Sequence, residues 1–176
     1  MDGMDRNRRR LLQGMLAIPL AALLPNGRDL LADDGAINSA ILTLHGARGP
    51  QRLSAELAVT NAQRRRGLME RESLAADAGM LFVYPRPTSG SFWMYRTRIP
   101  LDIAFIDADG RIGEIHHMQP CTSDSPQACP QTRPDVSYRA ALEVNAGYFA
   151  EHGVGVGDCV SWPGDGGGQC QGEMKS

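Results

Sequence analysis

Ser91-Phe92-Trp93-Met94-Tyr95-Arg96-Thr97-Arg98-Ile99-Pro100-Leu101-Asp102-Ile103-Ala104-Phe105-Ile106-Asp107-Ala108-Asp109-Gly110-Arg111-Ile112 is the stretch whose pattern settles the fold class. Leu101, Ile103 and Phe105 alternate with Asp102, Ala104 and Ile106, the period of a strand with one wetter face. Pro100 interrupts the run before it. Asp109-Gly110 marks a tight hairpin turn, with glycine supplying positive φ. Ile112 restarts the apolar pattern. The stretch therefore reads as strand, break, strand, turn, strand.

The same signals recur on both sides. Upstream, Ile41 to Leu44 reads as a short strand, and Leu53, Ala55, Leu57 and Val59 alternate with polar or small neighbours as a half-buried one. Thr60 followed by Gln63 is a capping-box spacing, so a short helix should begin at Asn61, carry Arg64, Arg65 and Arg66, and stop near Gly67. Met80 to Tyr84 is apolar throughout and reads as a strand covered on both faces, ended by Pro85 and Pro87. Downstream, 111–118 is the hairpin partner and 119–137 a long loop. A strand over 139–144, a short helix over 146–152 closed by Gly153, and a last strand over 158–162 complete the chain. Seven or eight short strands with one or two short helices predict a mainly β, single-domain sandwich or partly closed barrel over residues 41–163.

Bulk properties agree and exclude several classes. A chain of 176 residues suits one domain with extensions. Its formal net charge of −2 gives no basic field of the kind nucleic-acid partners need. No Gly-rich loop opens a helix in the form that cradles phosphate, and no Gly-x-Ser-x-Gly elbow is present.

The N-terminus reads as an export signal over residues 1–32. Arg6, Arg8, Arg9 and Arg10 precede an uncharged run from Leu11 to Leu24. That run is 14 residues, shorter than the roughly 20 needed to span a bilayer. Asn7-Arg8-Arg9-Arg10-Leu11-Leu12-Gln13 resembles the twin-arginine pattern, a route for folded proteins. Cleavage after Ala32 would leave 13 basic and 17 acidic side chains, a balance that argues against adhesion to anionic lipid, and no stable membrane insertion is expected once the signal is removed. Residues 33–40 then form a flexible lead-in and 164–176 a Gly-rich disordered tail. The expected location is periplasmic or secreted.

Cys121, Cys129, Cys159 and Cys170 all lie beyond this signal, and an oxidising compartment favours disulfides. Four cysteines allow three pairings. Cys121–Cys129 would staple the long loop and is the first expectation; Cys159–Cys170 would pin the tail. Metal-ligand spacing of the CxxC kind is absent.

Several runs, in order, resemble the DUF192 family, also called UPF0127, small bacterial and archaeal proteins without an established activity. They are Arg66-Gly67-Leu68-Met69 with Arg71 and Leu74, Gly79-Met80-Leu81-Phe82-Val83, Phe92-Trp93-Met94 with Thr97, Ile99 to Asp107, Ala141 to Gly147, and Gly157-Asp158. The resemblance covers roughly residues 52–160. It implies an all-β, sandwich-like domain and supplies no catalytic residues or cofactor.

Candidate chemistry rests on few residues. Trp93 beside Thr97 could wall a ligand pocket, although aromatics mostly serve packing, and the expectation for Trp93 and Met94 is core. Asp102 and Glu143 each sit within an apolar strand, with Arg66 and Arg71 as natural partners. A ligand would therefore meet Trp93, Thr97, Asp102, Glu143 and Arg66. If the two carboxylates face each other, they could serve as an acid/base pair of a hydrolase-like enzyme. Met69, Met80, Met94 and Met118 with His116 and His117 are soft donors suited to Cu(I), which leaves a copper-handling reading open, though no ligand spacing supports it and packing is the expectation for the methionines.

Overall fold

A computed structural model describes residues 37–164 and Cys170. The expected signal over 1–32, the first half of the lead-in (33–36), and all of the tail but Gly164 and Cys170 lie outside these residues. The strands in chain order are β1 (Ser39–Gly46), β2 (Gly49–Ala58), β3 (Ala78–Thr88), β4 (Phe92–Trp93), β5 (Leu101–Ile106), β6 (Ile112–Met118), β7 (Gln131–Thr132), β8 (Tyr138–Asn145) and β9 (Cys159–Ser161). Two short helices, α1 (Asn61–Arg66) and α2 (Tyr148–His152), complete the regular structure. The mainly β expectation holds.

Seven strands form one sheet in the order β6-β5-β8-β3-β2-β1-β9. Hairpins explain the antiparallel pairs β1–β2 and β5–β6. β2 and β3 are parallel, which requires a crossover; residues 59–77, with α1, supply it. The sheet curls until its two ends meet. Ile112 N donates to Asp158 O at 2.8 Å and Val160 N to Gly110 O at 2.8 Å, so β9 reaches the β5–β6 turn. The result is a partly closed barrel, as the strand pattern predicts. β4 and β7 form a separate two-stranded ribbon.

Side chains alternate between two cores. Inside the curl lie Leu42, Leu44, Leu53, Leu81, Leu142 and Val160, sealed by Tyr148 and Phe149 of α2. The outer face carries Met80, Phe82, Leu101, Ile103, Phe105 and Ala141. That face is covered by segments of irregular chain: Leu68 from the crossover, Phe92, Met94 and Ile99 from the stretch before β5, and Cys121 and Cys129 from the long loop. The covering corrects one expectation. β5 has no wetter face; all six of its residues are buried, because the Asp102, Ala104 and Ile106 side turns into the curl while the loops cover the Leu101, Ile103 and Phe105 side.

Local rules place the pieces that build the site. Thr60 Oγ1 accepts from Gln63 N at 3.2 Å while Gln63 Oε1 accepts from Thr60 N at 2.9 Å, the reciprocal capping box that starts α1. The turn at Gly110 (φ 86°) is closed by Asp107 Oδ1, which accepts from Asp109 N and Arg111 N, each at 2.9 Å. Both disulfides form, Cys121–Cys129 and Cys159–Cys170. α2 begins at Tyr148, two residues later than the pattern suggests, because Gly147 takes a left-handed backbone (φ 87°), outside the helical region; Asp102 Oδ2 accepts its N–H. β1 begins at Ser39, inside the expected lead-in, because Ser39 pairs with Glu56.

Candidate functional site

The outer core opens into a cavity of about 450 Å³. Three separate pieces of chain line it. α1 and the turn after it contribute Arg64, Arg65, Arg66, Leu68 and Met69. The β4 region contributes Ser91, Phe92, Trp93 and Thr97, and the sheet beneath supplies Phe82, Tyr84 and Glu143. Four of the five sequence-predicted ligand residues, Arg66, Trp93, Thr97 and Glu143, therefore converge.

Trp93 departs from the core expectation: it is 39% exposed, whereas Met94 is buried. Alternation along the two-residue strand β4 explains this, since Phe92 points into the core and Trp93 away from it. The Trp93 ring stacks on Tyr95 with centroids 5.0 Å apart and planes 23° from parallel. Its backbone pairs with Gln131 of β7. Thr97 is buried; its carbonyl accepts from Cys121 N at 2.9 Å, while its hydroxyl meets no partner among the described residues. The Cys121–Cys129 disulfide thus anchors the loop against which Trp93 and Thr97 are held.

Glu143 forms part of the floor. It is 6% exposed and makes no hydrogen bond or ion pair among the described residues. Burial pushes its carboxyl up to about 8, so at neutral pH it is mostly protonated and can donate a hydrogen bond. Arg64 is committed locally: Nη1 donates to Val59 O and Val83 O, both at 2.7 Å, Nη2 donates to Asn61 Oδ1 at 2.6 Å, and its guanidinium lies 4.9 Å from the Tyr84 ring centroid. Arg65 and Arg66 are exposed and have no ion pair among the described residues. Among the described residues, the non-glycine positions at positive φ are Glu70 (62°) and Arg96 (55°). They flank the lining segments, directly after Met69 and one residue before Thr97, and Glu70 N donates to Arg96 O at 2.8 Å.

Asp102 is elsewhere. In the β5–β8 register it faces Val144, while Glu143 faces Ile103. Directly opposed residues share a face and neighbours alternate, so Asp102 and Glu143 lie on opposite sides of the sheet. They cannot act on one substrate as an acid/base pair. Neither finds an arginine. Asp102 accepts from Gly147 N at 2.8 Å and meets His117 Nδ1 at 2.9 Å. Arg71 instead pairs with Glu56, both contacts 2.6 Å. Glu56 lies only 15 positions from Arg71, and the crossover that follows β2 folds back to bring the two together.

The soft donors are dispersed in use. Met80, Met94 and Met118 are buried in the outer core. His116 and His117 are successive in β6 and point to opposite faces; His116 Nε2 contacts Glu114 at 2.6 Å. No group of three His, Cys, Asp or Glu side chains among the described residues could hold a metal ion. The other cavity residues, Arg64, Arg65 and Tyr84 among them, were not singled out as ligand contacts from sequence; the run of arginines on α1 beside Arg66 was the available signal for the first two.

The profile of the DUF192 family, described as an uncharacterised ACR, matches residues 41–162. A crystal structure of a candidate transcription regulator from Sinorhizobium meliloti is similar at 34% identity, with 72% of this chain and 95% of that one covered and a TM-score of 0.65. A second, a protein of unknown function from Novosphingobium aromaticivorans, shares 32% identity over 73% of this chain and 89% of its own, with a TM-score of 0.63. No curated protein matches the chain. The match over most of the described residues, together with the curled sheet and its covering loops, establishes that the chain belongs to the DUF192 family.

Proposed function

We propose that this is an exported protein that binds a small or polymeric ligand in the cavity between α1, the β4 ribbon and the outer face of the sheet. The observation that carries the reading is convergence. Arg66 to Met69, Phe92-Trp93, Thr97 and Glu143 are distant in sequence yet line one cavity. They also belong to the runs that carry the family resemblance. Its volume lies within the range of about 300–1,000 Å³ usual for small-molecule sites, and its walls combine apolar surface with a few polar groups. Positive φ at Glu70 and Arg96 costs energy, and such residues cluster where geometry serves a ligand. Two disulfides favour an oxidising compartment, which fits the basic head and apolar run at the N-terminus.

Native mass spectrometry of the protein taken from the periplasmic fraction, repeated after denaturation, tests both parts. The denatured mass should correspond to a chain cleaved near Ala32 with two disulfides intact. The native mass should exceed it by a small passenger, and Trp93→Ala should lose that excess. A full-length chain confined to the cytoplasm would sink export. A bare native mass, with no ligand recovered from a small-molecule screen that reports on Trp93, would sink the binding reading.

A further inference from the structure

The cavity lining is charged in one direction only. Arg64, Arg65 and Arg66 contribute three guanidinium groups. The one carboxyl in the lining, Glu143, is buried and uncharged near neutral pH. Neighbouring acids are already engaged: Glu70 with Arg98 at 2.5 Å and Arg96 at 3.6 Å, and Glu56 with Arg71 at 2.6 Å. An electropositive cavity thus sits in a protein whose formal net charge is −2. Apolar walls strengthen the field such groups exert on an incoming ligand. Trp93, held by its stack on Tyr95, adds an aromatic surface for a ring to lie against.

We propose that the ligand is a small organic anion built on a ring, with its negative group at Arg65 and Arg66 and its ring along Trp93. This assignment deepens the ligand-binding reading and rests on it. The unpartnered Glu143 carboxyl then donates from the floor to an acceptor on the ligand, and the free Thr97 hydroxyl offers a second contact.

The test compares probes that share a ring and differ by one charge: phenylacetate against phenylacetamide, and glucuronate against glucose. Binding is followed by calorimetry and by the indole N–H resonance of Trp93 in the full chain. At least one anion should shift that resonance and bind about tenfold or more tightly than its neutral counterpart, the size of one charge-assisted contact. In the Arg65→Ala/Arg66→Ala variant, whose replaced side chains are exposed, that advantage should collapse to within about twofold, and Arg65→Lys/Arg66→Lys should restore part of it. A neutral probe that shifts Trp93 and binds as well as its anion would overturn the assignment and leave the binding reading standing. So would an advantage that survives the double alanine variant. No Trp93 shift with either anion would overturn the assignment as well, while the binding reading itself falls only with a bare native mass and an empty screen.

Discussion

Glu143 and Asp102 show how one residue type takes two roles from its surroundings. Glu143 faces an apolar cavity floor without a partner, and burial raises its carboxyl from 4.5 to about 8. Between those values the folded protein holds a proton that the unfolded chain has released. Its contribution to stability is therefore most favourable below about pH 4.5, declines by up to about 1.4 kcal/mol per pH unit through the window, and levels off above about 8. Glu143→Gln removes this dependence, with Tyr84 and Arg64 to Arg66 still facing the position. Denaturant titrations near pH 5 and pH 9 should show wild type losing more stability than the variant, by a margin on the order of a few kcal/mol. Equal losses in the two proteins would show that Glu143 titrates normally. Asp102, by contrast, ties Gly147 and His117 to β5. Asp102→Ala removes the buried carboxylate that holds both the Gly147 N–H and His117, and should cost more than about 1.5 kcal/mol. A melting temperature equal to wild type would refute that tether.

α1 is six residues long, too short to persist without help, and its capping box supplies that help at its first turn. The same helix carries the three arginines of the cavity. Thr60→Ala should cost about 1 kcal/mol of stability and loosen the arginines at once; thermal melts measure the first effect, and amide exchange across 61–66 the second. Unchanged exchange would mean that the Arg64 contacts alone hold the helix. β3 and β8 meet under a different constraint. A Cβ at Gly79 would lie 2.7 Å from the Glu143 carbonyl oxygen, so only glycine lets these strands pair beside the cavity floor.

Across the molecule, the barrel supplies a rigid sheet, and irregular chain laid on its outer face makes the site. That covering is held by few regular hydrogen bonds. The Cys121–Cys129 bond compensates: Cys121 N donates to Thr97 O, and the loop it closes leads into β7, which pairs with Trp93. Reduction with dithiothreitol should lower the melting temperature, since each native disulfide typically contributes about 2–4 kcal/mol. It should also broaden the Trp93 resonance. No thermal change once thiol counting confirms full reduction would show that the disulfides do not stabilise the fold.

Strand and turn placement could be read directly, because it depends on neighbours two to four residues apart. Alternation at 53–55, Thr60 with Gln63, and Asp109-Gly110 each encode local geometry that tertiary contacts did not override, whereas at the end of β2 Ala58 is buried and Val59, expected inward, is exposed. The candidate residues were also legible, since a Trp beside a Thr, or a carboxylate inside an apolar strand, stands out against its background. Their grouping was not. Whether Asp102 and Glu143 could meet depended on a register between β5 and β8, strands some forty positions apart, and a slip of one residue exchanges faces. Whether Trp93 packed inward or opened onto a cavity depended on β7 and the crossover, which chain distance conceals. Sequence decided which segments would be strands and which side chains could do chemistry; only the curled, covered sheet decided which of them share a space.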